Sequence, residues 1–341
     1  MPKVSVIIPS YNHARYLRQR LDSIFAQTYQ NYEVIALDDA SPDDSVEILR
    51  EYEASGKLRL VVNEKNSGTT FAQWKKGLTM AKGEYTWIAE SDDFASPFLL
   101  EKLVAAMEAN PSVGLAYAQS MMVDENGANM YKYCWAPERF NPKRWDSDFV
   151  NKGVDEVARY LFALCLIPNA SAVLTKTALL KPACQDADKY RLTGDWRTYV
   201  EVLMHSDIAF IAEPLNYFRT HANTVRSNAK QFATCAEMLQ VRAHICARVR
   251  VAASERELAV KSEFRTVQTY IDTPGAVTDP EWIKGVMKSA RAIHWSAMPR
   301  LWSMKIRRQA MRIPFLTRIV RFCKRVKRGI KRRVGLLTSA G

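Results

Sequence analysis

Val4-Ser5-Val6-Ile7-Ile8-Pro9-Ser10-Tyr11-Asn12 stands at the start of the chain as a short apolar, largely β-branched run that gives way to a polar loop. Such a run predicts a buried strand over residues 4–8, closed by the loop Pro9–Asn12. Three more strands are predicted on the same grounds, at residues 32–37, 58–62 and 85–89. The segments between these strands have apolar residues at the spacing of an α-helix. We therefore expect an α/β fold with a mostly parallel sheet covered on both faces.

Two of the predicted helices have ends that the structure can check. Ser41 is expected to cap a helix from Pro42 to about Glu53, since serine favours the cap and proline the first turn. Apolar spacing predicts one long helix from Ala229 to about Val260. The aromatic-rich stretch 130–220 is expected to form the wall of a site opposite the sheet.

Polar clusters follow three of the predicted strands, at the sheet edge where parallel sheets bind ligands. They are the loop Pro9–Asn12, the pair Asp38-Asp39 and the turn Glu90–Asp93. Adjacent carboxylates repel each other, and a divalent cation or the hydrogen-bond donors of a ligand would offset that repulsion. Carboxylate oxygens suit Mg²⁺ or Mn²⁺ at Asp92-Asp93, whereas nucleoside donors suit Asp38-Asp39. Taken singly, either pair could equally end a strand or cap a helix.

A series of motifs in about the first 120 residues resembles family-2 glycosyltransferases of the GT-A fold. The motifs are VSVIIPSYN at 4–12, LDSI at 21–24, QTY at 27–29, YEV at 32–34, DDAS at 38–41, NSG at 66–68, KGEY at 82–85 and SDD at 91–93. Their order and spacing both match, which makes the signal far more specific than a single short motif.

The resemblance implies roles for individual residues of a donor site. Those expected to bind the nucleotide-sugar are Pro9, Tyr11, Asn12, Asp38, Asp39, Asn66, Gly68 and Asp92. Within this set, Asp39 is expected to contact the base, with Asp38 beside it, while Asp92 faces the sugar-nucleotide. Asp93 is expected to ligate the divalent cation, Mn²⁺ or Mg²⁺.

The second half resembles the acceptor side of the same family through Thr193-Gly194-Asp195-Trp196 and the stretch 217–221. By that match Asp195 is the catalytic base, which takes the proton of an acceptor hydroxyl as that hydroxyl attacks the anomeric carbon with inversion. Without the family context, Asp195 would be interpreted as a helix cap or a turn residue. His221 is either a structural histidine or a metal or diphosphate ligand, and Arg219 either a phosphate contact or a surface ion pair.

Three positions depart from the family pattern. Glu90 stands where aspartate is frequent, Trp74 where asparagine is frequent, and Gly194 where glutamate is usual. The first two bear on the ribose and sugar contacts. Glu90 and Gly194 also suggest an alternative, a non-catalytic nucleotide-binding protein.

The 341 residues carry a net charge of +13, and the excess lies at one end. Residues 300–341 contain 14 Lys or Arg and no Asp or Glu, so that residues 1–299 sum to −1. Apolar residues recur at helical spacing between Phe315 and Val334, which predicts an amphipathic basic helix able to lie on an anionic membrane. Packing against the protein's own body is the alternative. The apolar stripe argues against nucleic-acid binding.

The six cysteines are dispersed without the spacing of a zinc site or a disulfide framework, which favours a reducing compartment. No stretch of about 18 apolar residues occurs, and the N-terminus does not resemble a signal peptide. We therefore expect a cytoplasmic protein that is peripheral at the cytoplasmic face of the membrane.

Three regions are expected along the chain. The first is a GT-A domain over residues 1–225, in which residues 1–120 bind the donor and residues 121–225 form the acceptor side. A helical extension over residues 226–299 and a basic tail over residues 300–341 follow it.

The combined hypothesis is a metal-dependent, inverting glycosyltransferase. It would move one sugar from a UDP-, dTDP- or GDP-linked donor to a saccharide or lipid-linked saccharide acceptor, in cell-surface polysaccharide or O-antigen type synthesis. A nucleotidyltransferase is a further alternative, although its glycine-rich N-terminal loop is missing here.

Overall fold

The structure, a computed structural model, describes residues 1–133, 140–221, 231–272 and 280–294. The chain divides into two compact units, the first formed by residues 1–229 with 248–251 and the second by 230–247 with 252–341. The predicted basic helix of the tail lies outside the described residues. Within the described ranges, no helix combines the length and the apolar character needed to cross a membrane.

The first unit is built on one mixed sheet. Its strands are β1 (Val4–Ser10), β2 (Tyr32–Asp38), β3 (Arg59–Val62), β4 (Tyr85–Ile88), β5 (Phe94–Ala95), β6 (Val113–Val123), β7 (Asn129–Lys132), β8 (Phe149–Asn151), β9 (Val173–Lys176) and β10 (Asp207–Arg219). The order along the sheet is β3-β2-β1-β4-β9-β6-β10-β5, with β7 paired to β6 and β8 paired to β10. Strands β1 to β4 are parallel, as are β6 and β10, whereas β9 runs antiparallel between β4 and β6.

Helices cover both faces of this sheet. They are α1 (Ala14–Phe25), α2 (Ser45–Ala54), α3 (Thr70–Met80), α4 (Leu99–Ala109), α5 (Gly153–Glu156), α6 (Thr177–Ala183) and α7 (Gly194–Leu203). Ile8 of β1 shares an apolar cluster with Leu17 of α1. On the other face, α3 approaches β1 so closely that a Cβ on Gly77 would lie 2.6 Å from Ile7 Cγ2. Burial on both faces explains why β1 is a nearly continuous apolar run.

Two sequence expectations about helix ends are wrong. Helix α2 begins at Ser45 and not at Pro42, because Ser41 bonds back to Asp38 and completes the turn after β2. The single long helix is two helices, α8 (Gln231–Cys246) and α9 (Ala253–Asp272).

The stretch predicted to form a wall opposite the sheet adds strands to the sheet itself. Strand β9 is inserted between β4 and β6, and the 13 residues of β10 pair with β6. In both strands, apolar and polar residues alternate strictly over only a few positions, so the sequence period alone did not reveal them.

The second unit is helical and contains α8, α9 and α10 (Pro280–Ile293). Its apolar residues include Leu239, Val260, Phe264 and Ile293, all fully or almost fully buried. Arg242 of α8 donates to Glu263 of α9 at 2.7 Å, and both side chains are buried. Removing either partner would be costly, because the other charge would then be buried without a counter-charge.

Candidate active site

The loops after β1 and β2 are joined to each other. Asp38 accepts hydrogen bonds from the backbone N–H of Ser41 at 2.8 Å and from its Oγ at 2.6 Å. Ser41 Oγ in turn accepts from the backbone N–H of Asn12 at 3.0 Å. Asn12 and Ala40 both have positive φ values, 57° and 61°. Backbone held in this region by its surroundings is common at binding sites, and here it shapes both loops at the carboxyl edge of the sheet.

Asp39 is held inside the protein, with 4% of its surface exposed. Its carboxylate accepts from Asn63 Nδ2 at 2.7 Å, Gln73 Nε2 at 2.8 Å, and both the backbone N–H and Oγ of Ser67 at 3.0 and 2.8 Å. These donors use most of the capacity of a carboxylate. Asp39 therefore orders the loop that contains Asn66 and Gly68.

The other residues expected to bind the nucleotide lie around these loops. Pro9 is buried inside β1, opposite Leu37 of β2. Tyr11 is 45% exposed at the rim of the loop. Asn66 Oδ1 accepts from the backbone N–H of Gly68 at 2.6 Å, and Gly68 has a φ of 85°, which glycine tolerates. Of this set, Tyr11, Asn12 and Gly68 are exposed and accessible to a ligand.

Asp93 points into the protein rather than into the crevice. It is 1% exposed, Oδ1 accepts from the backbone N–H of Arg219 at 2.9 Å, and Oδ2 accepts from Asn169 Nδ2. Asn169 Oδ1 accepts from the buried Asn216. Burial and the neighbouring charge of Asp92 raise the pKa of Asp93 to about 7.

Asp92 is the carboxylate that meets His221, with 3.2 Å between Oδ2 and Nε2. One ring nitrogen of His13, one of His221 and a carboxylate oxygen of Asp92 all lie within 4.8 Å of one another. Burial would raise the pKa of Asp92, but the contact with His221 and the nearby His13 outweigh it and lower the pKa below 3.8. The carboxylate that lies beside His221 is that of Asp92; the expectation that Asp93 ligates the cation stays a prediction.

Arg219 holds the turn Glu90–Asp93, the acidic turn, in place. Its Nε donates to the carbonyl of Asp92 at 2.7 Å, Nη1 donates to the carbonyls of Asp124 and Glu125, and Nη2 donates to Gln19 Oε1. These contacts use four of the five N–H groups of the guanidinium, and Arg219 is buried, so it is not the surface ion pair that the sequence left open. Arg219 is the last residue of β10. Its position therefore also places His221, two residues later, beside Asp92.

Arg20 is a buried cation beneath the acidic turn. Its side chain is fully buried, and none of its guanidinium nitrogens has a hydrogen-bond partner among the residues described. Its Cζ lies over the ring of Trp87, 4.8 Å from the ring centroid. Burial lowers its pKa to about 10, opposed by the charges of Asp93, Asp92 and Glu90. Arg20 therefore stays charged at neutral pH as an internal counter-charge; an arginine on the apolar side of α1 was its only signal in the sequence.

The three departures from the family pattern are joined by contacts. Trp74 Nε1 donates to Glu90 Oε1 at 2.9 Å, and the Trp74 ring packs edge-on against Phe71 at 5.0 Å. A Cβ on Gly194 would lie 2.6 Å from Phe71 Cε2 and from the Ala187 carbonyl. Burial, followed by the charge of Asp92, raises the pKa of Glu90 to about 8.

Asp195 lies in the first turn of α7, directly after Gly194. Its Oδ1 accepts from the backbone N–H of Trp196 at 2.6 Å. Burial raises the pKa of Tyr199 well above 10, and the charges of Asp195 and Glu90 add to this effect. Asp195 is thus linked to the acidic turn through Gly194, Phe71 and the Trp74–Glu90 hydrogen bond.

Comparison with known proteins identifies the family domain. Residues 5–157 match the family model described as glycosyl transferase family 2. The glycosyltransferase GlyG of Streptococcus pneumoniae is 35% identical over 133 residues, which cover 38% of this chain and 43% of GlyG. The chain spans about half the length of the first curated relatives it matches, 43% and 58%.

Two solved structures share the fold. The S. aureus TarS 1–349 complex with UDP-GlcNAc superposes with a TM-score of 0.64 at 19% identity, over 86% of this chain and 82% of TarS 1–349. The mannosyltransferase PcManGT from Pyrobaculum calidifontis, in complex with GDP-Man and Mn²⁺, gives 0.52 at 17% identity over 88% and 83%. The expected GT-A fold is confirmed.

Proposed function

Because the chain is a member of glycosyl transferase family 2, we propose that it transfers one sugar, with inversion, from a nucleotide-diphosphate sugar to a saccharide acceptor. The observation that carries this proposal is the pairing of Asp92 with His221 at 3.2 Å, at the carboxyl end of the sheet. The loops after β1 and β2, joined by the hydrogen bonds of Ser41, lie at the same edge. Ligands of parallel sheets bind at that edge.

A divalent cation, Mn²⁺ or Mg²⁺, fits the residues present. Asp92 is ionised at neutral pH because its pKa is lowered. Carboxylate oxygens suit both Mn²⁺ and Mg²⁺, and imidazole is a ligand of first-row transition ions. Asp92 and His221 would hold the cation, which supplies positive charge to the leaving diphosphate. Asp93 and Arg219 hold the backbone of Asp92 in place.

The donor is proposed to be linked to UDP, dTDP or GDP. TarS was solved with UDP-GlcNAc and PcManGT with GDP-Man, which supports a nucleotide-sugar of this kind. The nucleoside would lie between the loop 9–12 and the loop 66–68, against Tyr11. Asp39 contributes mainly by fixing the second loop, since four donors already occupy its carboxylate.

Asp195 is proposed as the base. One carboxylate oxygen takes the proton of the acceptor hydroxyl while the hydroxyl oxygen bonds to the anomeric carbon. The bond from that carbon to the diphosphate oxygen breaks, and its electron pair leaves with the nucleoside diphosphate. Trp74 connects Glu90 of the acidic turn, to which it donates, with Phe71, which lies against Gly194 at the start of α7.

The test is a panel of UDP-, dTDP- and GDP-sugars, read by the nucleotide that is released. Asp195→Asn is expected to lower turnover by at least about a hundredfold and to keep donor affinity, as removal of a general base does. Asp92→Asn is expected to lose cation-dependent donor binding. Asp44→Asn, an exposed aspartate at the start of α2, is the matched control. Full turnover by Asp195→Asn would refute its role as base.

The non-catalytic alternative receives no support from the departures that suggested it. Glu90, Trp74, Phe71 and Gly194 form a connected set in which each unusual residue has a matching neighbour. Turnover of any donor in the panel would rule this alternative out.

Membrane association is proposed for the basic tail, residues 300–341, and with it a lipid-linked acceptor in cell-surface polysaccharide synthesis at the cytoplasmic face. The support is the run of 14 cations without an acidic residue and the apolar spacing between them. Co-sedimentation with anionic vesicles is expected for the full chain and is expected to fall for a chain ending at Pro299. Equal recovery of the two would refute the proposal.

A further inference from the structure

We infer that His13 is a third ligand of the cation held by Asp92 and His221, and that the resulting site prefers a transition-metal ion such as Mn²⁺ to Mg²⁺. The inference rests on the proposed function, because it concerns the same cation. Nothing in the sequence motifs pointed to His13.

The three side chains come from separate regions of the first unit and converge. His13 precedes α1, Asp92 follows β4 and His221 follows β10. Their candidate ligand atoms lie within 4.8 Å of one another, and the two imidazole rings meet edge to face at 5.7 Å. Atoms that share one cation lie roughly 3–4.5 Å apart, since each bond is about 2.0–2.3 Å. The upper limit of 4.8 Å on the observed separations is close to this range.

His13 is oriented as a metal ligand would be. Its Nδ1 is hydrogen-bonded to the buried Ser91 Oγ at 2.8 Å, and Ser91 is the neighbour of Asp92. When Nδ1–H donates to Ser91, Nε2 carries the free lone pair. Ligating histidines in proteins are commonly held through their second nitrogen in this way.

Capping does not explain a histidine at this position. His13 is the N-cap of α1, a place that favours Ser, Thr, Asp or Asn, and its side chain makes no capping hydrogen bond. The backbone N–H of Ala14 is instead bound by Asp43 Oδ2 at 2.8 Å. The imidazole is therefore free of a helix-capping role and turned toward Ser91 and the acidic turn.

The ligand set decides which ion is favoured. Mg²⁺ prefers oxygen ligands in a near-octahedral shell and gives up water reluctantly. Imidazole nitrogens favour first-row transition ions, and affinity for such ligands rises along the series from Mn²⁺. Two imidazoles and one carboxylate thus discriminate against Mg²⁺ more than one imidazole and one carboxylate do.

The experiment measures binding of the metal alone to the full chain at neutral pH. Free Mn²⁺ is followed by electron paramagnetic resonance, and Mg²⁺ by its competition with Mn²⁺. His13→Ala is expected to weaken Mn²⁺ binding by about tenfold or more and Mg²⁺ binding by less than about threefold. His13→Gln, which keeps a polar contact for Ser91, is expected to behave like His13→Ala. His205→Ala, at an exposed position before β10, is the control.

The outcomes separate this inference from the proposed function. Mn²⁺ affinity within twofold of wild type in His13→Ala, together with a loss in His221→Ala and Asp92→Asn, would overturn the role of His13 alone. Unchanged affinity in all three variants would overturn the cation site itself. A parallel loss of Mn²⁺ and Mg²⁺ binding in His13→Ala would refute the preference for transition-metal ions. Thermal unfolding of each variant shows that it is folded.

Discussion

Glu90 is expected to make the stability of the metal-free protein fall as pH rises. Its pKa is raised from 4.5 to about 8 by burial and by the charge of Asp92, so the folded state favours the neutral acid. The stability that this carboxyl contributes is then complete below its unfolded pKa and is lost as pH rises toward 8. Glu90→Gln removes the charge and keeps an oxygen that can accept from Trp74 Nε1.

The size of the effect follows from the shift in pKa. At about 1.4 kcal/mol per pH unit, a rise from 4.5 to about 8 corresponds to roughly 5 kcal/mol. Glu90 keeps partial contact with solvent, so we expect about half of this, 2–3 kcal/mol. Near pH 5 the variant and the wild type should be about equally stable, and near pH 8 the variant should be more stable by about that amount.

Urea unfolding in the presence of a chelator, followed by tryptophan fluorescence, measures both proteins across this range. Asp93, with a pKa of about 7, adds a decline that both proteins share. The control is Glu213→Gln, whose side chain is 49% exposed and paired with Lys102; its effect should stay below about 1 kcal/mol at every pH. Parallel curves for Glu90→Gln and wild type would refute the raised pKa of Glu90.

Two further predictions test the packing around the site. Gly194→Ala places a Cβ 2.6 Å from Phe71 Cε2 and from the Ala187 carbonyl, so it should lower the free energy of unfolding by at least about 1–3 kcal/mol. Gly285→Ala, which has open space around it, should cause no such loss, and equal effects of the two substitutions would contradict the close packing at Gly194. Arg219→Lys keeps the charge but cannot reach the same oxygens, so Mn²⁺ affinity measured by titration should fall by about tenfold, unlike in the exposed Arg18→Lys.

Local patterns predicted the donor half of the fold because its information is local. Strands β1 to β4 are apolar runs bounded by turn residues, and the motifs at their ends mark the carboxyl edge of the sheet. The start of α2 was wrong for a reason that the sequence does not display. Ser41 could cap a helix or close a turn, and Asp38 three residues earlier captures it.

The sequence does not show which of Asp92 and Asp93 lies beside His221. Two adjacent aspartates on a turn point in different directions, and the contact that turns Asp93 inward comes from the backbone of Arg219, 126 positions away. Which residue of β10 arrives there depends on the pairing of Asn216 with Ala95 and of Tyr217 with Phe94. That register is set when the strands assemble into the sheet, and it cannot be predicted from the spacing of the motif that contains Asp92 and Asp93.

Strand β10 therefore holds the parts of the proposed cation site together. Its backbone anchors Asp93, its last side chain holds the carbonyl of Asp92, and the residues after it bring His221 to the same carboxylate. Any shift of β10 along β6 would displace the imidazole and release the acidic turn together. A substitution that loosens β10 should thus impair binding of the cation before it impairs the loops after β1 and β2, which are held by Ser41 and Asp39.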